Sequence, residues 1–240
     1  LGAGALTNRL GAQRSSAGLR GGPGDSGALA ALQRPVPSCV VRPAQTEGPY
    51  FVNNTLNRRD IRAEPSTGEL MKGTPLELEM RVTQIGANGC VPLPGATVEV
   101  WQCDAEGVYS GVQDIINGDF DTRGKSFLRG HQVTDASGVV RFTTIYPGFY
   151  PGRAVHIHFS IAARASAGRT MKFTSQLYFD DAVTGEVLKA RPYAPKGLAQ
   201  WMKNERDGIF SRSGGRELML ATRRSDAGYS GLFEIGMQMG

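Results

Sequence analysis

Residues 145–161 read IYPGFYPGRAVHIHFSI, and this stretch combines the pattern of a buried strand with side chains that bind metals. Successive side chains of a strand point to opposite faces. One phase is wholly apolar and predicts the face that packs on the core; its members are Val155, Ile157, Phe159 and Ile161. The other phase presents His156 and His158, two of the three histidines of the chain.

The two histidines are candidate metal ligands. Residues two apart on a strand lie about 6.5–7 Å apart at the Cα, and imidazole nitrogens bind a metal at about 2.0–2.1 Å, so both rings can reach one ion. The alternative is a pair of exposed histidines on a solvated sheet face. No acidic residue follows His158 until Asp180, which disfavours a site with two histidines and one carboxylate. The remaining oxygen donors nearby are tyrosines, and two phenolates favour a trivalent ion such as Fe(III).

Outside this stretch the sequence predicts many short strands joined by long polar loops. Leu76, Leu78, Met80 and Val82 alternate with polar residues in PLELEMRVTQI, as in a half-buried strand. We expect one short helix at residues 197–205 and long loops at 104–131 and 186–216, where binding groups usually lie. This pattern predicts an all-β fold, an antiparallel β-sandwich of Greek-key type with little helix. The predicted strands are 75–85, 96–102, 138–145, 154–162, 172–179, 217–222 and 231–239.

Composition excludes some classes of function. The net charge of the 240 residues is +5, but residues 1–38 contain four arginines and one aspartate, which account for +3 of it. The remaining +2 is too diffuse for a nucleic-acid-binding surface. No apolar run reaches the 18 residues of a membrane span. Residues 1–38 lack a periodic apolar face and contain no intact signal peptide, so we expect a flexible or loosely docked arm followed by one catalytic domain at 39–240.

The three cysteines are Cys39, Cys90 and Cys103. The odd number allows one disulfide with one free thiol, or three buried thiols, and we expect one disulfide whose pairing stays open. The absence of a C-x-x-C pair excludes a zinc knuckle or a thioredoxin-like motif.

Several segments, in order, resemble the intradiol ring-cleavage dioxygenases, the family of catechol, hydroxyquinol and protocatechuate dioxygenases. The resemblance covers about residues 39–238, and its most specific element is the R-x-x-H-x-H motif that follows a Y-P pair. The cysteine pattern is most similar to the single-domain, often exported branch of the family, which favours a secreted or periplasmic location. The matching segments are QTEGPYF (45–51), PLPGATVEVWQCDAEGVYS (92–110), FLRGHQVTDASGVVRFTTIYPGFYPGRAVHIHF (127–159), TSQLYF (174–179) and NERDGIF (204–210).

The resemblance implies a non-haem Fe(III) cofactor and a set of site residues. Tyr150 is also implied to leave the metal and to accept a substrate proton, with Arg153 and Gln176 as further catalytic residues. Tyr146 stands where the family requires no tyrosine and is interpreted as a packing or pocket-lining residue, while His131 is interpreted as a surface histidine. The implied metal ligands are Tyr109, Tyr150, His156 and His158, and the implied substrate-binding residues are Gly48, Pro49 and Tyr50.

The implied activity is cleavage of catechol-type rings with O2 to cis,cis-muconate-type diacids, with small-molecule catechols and O2 as the partners. Two alternatives remain at this point. A metal-free β-sandwich binding module would keep the strands without needing the four ligands together. A zinc hydrolase using H-x-H would need a third nitrogen or carboxylate ligand that is absent at short range. The alternatives for Arg153 and Gln176 are a surface ion pair and a solvent-facing position on an alternating strand. The sequence leaves the oligomeric state undetermined.

Overall fold

The computed structural model describes residues 40–53, 56–115, 119–165 and 168–239, and the predicted arm at 1–38 lies outside these ranges. The described residues belong to one unit, Val36–Gly240. The strands are β1 (Pro75–Gly86), β2 (Gly89–Pro92), β3 (Thr97–Trp101), β4 (Gln113–Asp114), β5 (Phe120–Asp121), β6 (Arg129–Val133), β7 (Val139–Ile145), β8 (His156–Arg164), β9 (Thr170–Tyr178), β10 (Ala221–Ser225) and β11 (Gly228–Gln238). The helices are α1 (Asp181–Val187) and α2 (Gly208–Arg212), with 3-10 helices at Ala194–Lys196, Leu198–Gln200, Asn204–Arg206 and Gly215–Leu218.

Two sheets form the sandwich, which confirms the predicted all-β fold. The four-stranded sheet has the order β6-β3-β8-β9 and is antiparallel throughout. In the five-stranded sheet β1 is central, with β11 on one side and both β2 and β7 on the other, while β10 extends the sheet beyond β11. The β1–β11 pair is parallel, with Leu76 opposite Tyr229. Strands β4 and β5 form a separate two-stranded ribbon.

The core lies between the two sheets and is made by the apolar phases that the alternation predicted. Phe159 of β8 contacts Phe233 of β11 with ring centroids 5.5 Å apart, so the two inner faces meet. Leu76, Leu78, Met80 and Val82 of β1 are buried, as are Val98 and Val100 of β3. Burying such side chains stabilises the fold by roughly 1.5–3 kcal/mol each. The core therefore fixes which face of β8 is left for the histidines.

The predicted helix at 197–205 is wrong. Residues Leu198–Gln200 and Asn204–Arg206 form two separate 3-10 helices, because Trp201 and Lys203 between them are extended, with ψ values of 126° and 155°. The strand predicted at 217–222 is also displaced, because Gly215–Leu218 is a 3-10 helix and β10 begins at Ala221. Within the described ranges no helix is long and apolar enough to cross a membrane.

Cys90 is disulfide-bonded and Cys103 is a free, buried thiol. The remaining cysteine of the sequence, Cys39, lies outside the described residues. This agrees with the expectation of one disulfide and excludes three free thiols.

Candidate active site

The outer face of the four-stranded sheet carries a cluster of polar and aromatic side chains at one end. His158 of β8 lies opposite Trp101 of β3 and Gln176 of β9, and His156 lies opposite Tyr178. Directly opposed residues of neighbouring strands point to the same face. The strand register therefore brings five polar or aromatic side chains together on the face opposite the core.

Both histidines are buried, which excludes the alternative of an exposed pair on a solvated face. His156 and His158 are almost fully covered, and so is Ser160, the next residue in the same phase. The Trp101 indole stacks on the His158 ring with centroids 5.1 Å apart and planes within 7°. Both faces of β8 are thus covered, one by the core and one by loops and aromatic side chains.

The ring nitrogens of the two histidines converge. His156 Nδ1 lies 2.7 Å from the carbonyl oxygen of Ala154, so Nδ1 donates and Nε2 of the neutral ring keeps its lone pair. That Nε2 is 3.0 Å from His158 Nε2. His158 Nδ1 is buried and has no hydrogen-bond partner. These two ring nitrogens are close enough together to bind the same cation.

Two tyrosines from different loops complete this cluster. Tyr109 follows β3 in the loop before β4, and Tyr150 lies between β7 and β8. Their hydroxyl oxygens are 3.4 Å and 3.3 Å from His156 Nε2. Both rings are buried, with centroids 5.7 Å apart. The structure therefore brings together all four residues that the resemblance implied as metal ligands.

The geometry and chemistry of this donor set fit Fe(III). Ligands about 2.0–2.1 Å from one ion lie about 2.9–3.4 Å from one another, and the spacings around His156 Nε2 fall within that range. Among the described residues no group of three or more His, Cys, Asp or Glu could hold a metal ion. A metal at this position therefore needs the phenol oxygens, which suit a hard trivalent ion, and the zinc site of a hydrolase is not formed.

Burial sets the protonation states of the cluster. Desolvation lowers the pKa of His156 and His158 well below the usual range, and the nearby Arg153 adds to this effect. Desolvation raises the pKa of Tyr109 and Tyr150 above the usual range. Neutral imidazoles are ready to bind a metal, whereas the buried phenols lose their protons only where a cation compensates the charge.

Arg153 lies at the edge of this cluster and is held in a buried ion pair, so the alternative of a surface ion pair is wrong. Its side chain is 13% exposed, and Nε is 2.9 Å from Asp207 Oδ2. Nη2 donates to Gln176 Oε1 at 2.5 Å, and Nη1 lies 3.4 Å from the Tyr150 hydroxyl. The guanidinium group therefore faces the candidate metal ligands with its orientation fixed by Asp207 and Gln176.

Gln176 is fully buried, so the alternative of a solvent-facing position is also wrong. Its Nε2 donates to the Thr46 carbonyl at 3.1 Å, and its Oε1 accepts from Arg153 and from the Tyr178 hydroxyl at 3.2 Å. Both the nitrogen and the oxygen of the amide thus have partners. The amide connects the extended segment before β1 to the arginine.

The three residues that the resemblance implied as substrate-binding differ in burial and in their contacts with the cluster. Tyr50 is buried, stacks on Tyr109 with centroids 4.4 Å apart, and donates to Asp114. Gly48 lies against His158, since a Cβ built on it would be 3.2 Å from His158 Cε1. Pro49 between them is exposed. All three belong to the extended segment at residues 40–51.

Sequence reasoning missed several residues of the site. Asp207 is fully buried, and besides Arg153 its Oδ2 accepts from the Ala154 amide at 2.9 Å while Oδ1 caps α2. Asp207 lies within the segment NERDGIF that matched the family, and an aspartate before a short helix was the signal that could have identified it. Trp101, Asp114 and Arg129 were also missed.

Two residues named from the sequence lie outside the cluster. Tyr146 is fully buried, with its hydroxyl 2.7 Å from Thr184 Oγ1 and its ring 4.3 Å from that of Phe179. It belongs to the main core, in agreement with its interpretation as a packing residue. His131 is half-buried on β6, opposite Glu99.

Comparisons with known proteins identify related chains. The sequence model of a family described as Dioxygenase matches residues 46–209, more than half of the chain. The solved structure of an intradiol ring-cleavage dioxygenase from Tetranychus urticae is 31% identical, with a TM-score of 0.71 over 83% of this chain and 95% of that one.

Curated relatives match over a shorter part of the chain. The protocatechuate 3,4-dioxygenase beta chain of Burkholderia cepacia is 36% identical over 116 residues, which are 45% of this chain and 47% of the relative. A hydroxyquinol 1,2-dioxygenase of Corynebacterium glutamicum is 26% identical over 134 residues, 48% of this chain and 40% of the relative. The chain thus spans about half the length, or less, of these curated relatives.

Proposed function

Because this chain belongs to the intradiol ring-cleavage dioxygenase family, we propose that it cleaves catechol-type rings with O2 to cis,cis-muconate-type diacids. The observation that carries the proposal is the convergence of two phenol and two imidazole donors in one buried cluster. Protocatechuate and hydroxyquinol, which appear in the names of relatives, are members of the proposed substrate class. The reacting group they share is a pair of adjacent ring hydroxyls.

The proposed cofactor is a non-haem Fe(III) held by Tyr109, Tyr150, His156 and His158. When bound, Fe(III) supplies a Lewis-acid centre that draws electron density from the two substrate oxygens and makes the ring reactive towards O2. The two phenolates carry two negative charges and the imidazoles carry none. The protein ligands therefore leave one positive charge of the ion uncompensated, which favours binding of an anionic catecholate.

Tyr150 is proposed to accept a proton from a substrate hydroxyl at its phenol oxygen. It lies on the loop between β7 and β8, whereas Tyr109 is stacked against Tyr50 and close to Arg129. The Arg153 guanidinium is 3.4 Å from the Tyr150 oxygen and would orient this phenol as it takes up the proton. The contact with Arg153 supports Tyr150, and not Tyr109, as the proton acceptor.

Arg153 is proposed to stabilise negative charge that develops on the substrate. A guanidinium fixed by Asp207 and Gln176 needs little reorganisation during the reaction, which is the condition for electrostatic stabilisation. It also lies 3.4 Å from His156 Nε2, so its charge is directed at the same point as the metal ligands. Gly48, Pro49 and Tyr50 are proposed to border the substrate and to limit access of water.

The test combines colour, metal content and oxygen uptake. Phenolate-to-Fe(III) charge transfer is expected to make the purified protein red-brown, with iron detected by elemental analysis. Oxygen uptake is then measured with catechol, protocatechuate, hydroxyquinol and substituted catechols, and the product is identified by its ultraviolet spectrum. The competing function is that of a metal-free β-sandwich binding module. A colourless protein without iron, which after iron loading consumes no oxygen with any catechol, would refute the proposed activity and favour that alternative.

A further inference from the structure

Arg129, the first residue of β6, is an arginine buried almost completely beside the candidate metal site. Its Nε donates to the carbonyl oxygen and the hydroxyl of Ser110, both at 3.0 Å, and Nη2 donates to the same carbonyl at 2.6 Å. All three contacts end on the residue that follows Tyr109. The guanidinium group therefore fixes the backbone at the point where this tyrosine enters the site.

No carboxylate among the described residues forms an ion pair with Arg129. Arg153, the other buried arginine of the site, has Asp207 as its partner. A buried charge without an opposite charge is costly, because the neutral acceptors of Ser110 do not replace the lost hydration. Within the described residues the positive charge of Arg129 is therefore opposed only at longer range, by Glu99 and by Tyr109 when this tyrosine is ionised.

Tyr109 is a neighbour of Arg129 that can become an anion, and its electrostatic effect on Arg129 is larger than that of Glu99. The guanidinium carbon lies over the Tyr109 ring, 5.9 Å from its centroid, within the range of a cation–π contact. A phenolate ligand spreads negative charge into its ring, so the same contact becomes a charge–charge attraction when Tyr109 binds a metal. The contact is thus stronger in the metal-bound form than in the metal-free form.

The backbone conformation of Leu128, the residue before Arg129, supports a functional reason for the position of Arg129. Leu128 has a φ of 55°, a left-handed conformation that a leucine rarely adopts, and its side chain is fully buried. Such strain persists where the surrounding structure requires it and is concentrated at functional sites. Here the left-handed residue directs Leu128 to the core while Arg129 stays beside Tyr109.

We propose that Arg129 is a positioning residue for Tyr109, which holds the Tyr109–Ser110 backbone and balances the negative charge of this tyrosine when it is a metal ligand. The inference rests on the proposed Fe(III) function. A cation over the ring lowers the energy of the electrons that the phenolate donates to Fe(III). Removing the cation therefore shifts the charge-transfer band to longer wavelength, and it weakens iron binding by about 10- to 100-fold, the usual effect of losing a residue that supports a metal ligand.

The test compares Arg129→Met and Arg129→Gln, which remove the charge, with Arg129→Lys, which keeps it. For each variant we would record the visible spectrum of the iron-loaded protein, the dissociation constant for iron, and the thermal midpoint with and without iron. The neutral variants are expected to show the band at longer wavelength and a smaller increase of the midpoint on iron binding. Arg129→Lys is expected to stay close to the wild-type protein in the wavelength of the band and in the increase of the thermal midpoint on iron binding.

Arg58 provides the matched control. Its Nε and Nη2 donate to the Arg129 carbonyl at 3.0 Å and 2.8 Å, and its Nη1 donates to the Ala63 carbonyl at 2.6 Å. Among the residues that the structure describes, no aromatic ring lies under its guanidinium group. Arg58→Met is expected to lower the thermal midpoint equally with and without iron and to leave the band unchanged.

Three results would overturn the inference. The first is that the neutral Arg129 variants behave like Arg58→Met, and the second is that Arg129→Lys behaves like the neutral variants. The third is a failure of both neutral variants to fold, because Arg129 would then be a requirement of the fold itself. If the wild-type protein shows no iron-dependent band, the proposed function fails, and this outcome is distinct from an unshifted band in a coloured protein.

Discussion

Burial does not separate the tyrosines of the site from those of the core. Tyr109 and Tyr146 are both fully buried, and in both cases desolvation raises the pKa above its usual range. The difference lies in the partner of the hydroxyl group. Tyr146 is paired with the Thr184 hydroxyl, whereas the Tyr109 hydroxyl faces His156 Nε2. Only the second arrangement leaves a phenol oxygen directed at a possible metal.

Substituting these two tyrosines separates a ligand from a packing residue. We expect Tyr109→Phe to lose most of the bound iron and the visible band, because the substitution removes a donor atom. Tyr146→Phe removes one hydrogen bond and is expected to cost about 1 kcal/mol of the free energy of unfolding while keeping iron and colour. Iron content, the visible spectrum and urea unfolding measure these effects. Equal loss of iron in both variants would contradict the assignment of Tyr109.

The sequence predicted the members of the candidate metal-binding cluster better than the residues around them. His156 and His158 follow from strand alternation, and the two tyrosines follow from the resemblance. Asp207 and Arg129 act through contacts between distant parts of the chain, since Asp207 meets Arg153 and Arg129 meets Ser110. Alternation gives the phase of a strand, but it does not show which loop covers the polar face.

Strands were predicted well where one face packs on the core and poorly where local turns decide the structure. The alternation in β1 and β8 follows the core contacts, so the existence of these strands could be read directly. Helix α1, with seven residues, and α2, with five, are too short to show a helical period, and each begins at an aspartate that caps its first amides. The parallel pairing of β1 with β11 joins distant parts of the chain, and neither strand has a sequence pattern that predicts its partner.

The extended segment at residues 40–51 has no regular secondary structure, yet it forms part of the site. Its backbone bonds to β9 through the Gln45 amide, which donates to the Thr174 carbonyl at 3.0 Å. Gly48 brings the chain against His158 with a φ of 75°, a conformation that strongly favours glycine. A side chain at this position would therefore require the imidazole to shift by a few tenths of an ångström.

Gly48→Ala tests this close approach, with Gly68→Ala as its control. Gly68 has a φ of 73° but no atom within 4 Å of a built Cβ, so both substitutions carry the same backbone cost of about 1–2 kcal/mol. We expect a similar loss of thermal stability in the two metal-free variants. Only Gly48→Ala is expected to lower iron occupancy, because its Cβ displaces His158. Normal iron content in Gly48→Ala would show that the ring can adjust freely.

At the scale of the whole molecule, the thiol count is a simple check of the structure. Cys103 is fully buried and desolvation raises its pKa far above the usual range, so the native protein is expected to show no reactive thiol. Under denaturing but non-reducing conditions we expect one thiol per chain, since Cys90 is disulfide-bonded. Titration with a thiol reagent gives both numbers. Three thiols after denaturation would refute the disulfide.

The parallel β1–β11 pair also decides when the sandwich can be completed. Leu76 of β1 pairs with Tyr229 of β11, so the central strand of the larger sheet cannot be paired on this side until β11 has been synthesised. At a synthesis rate of about 5–20 residues per second, all four proposed ligands emerge seconds before β11 does. Pairing over such a distance is also slow in itself. A nascent chain therefore exposes the side chains proposed to bind the metal before the scaffold is complete. Iron added after synthesis would meet a more completely assembled site than iron that is present during synthesis.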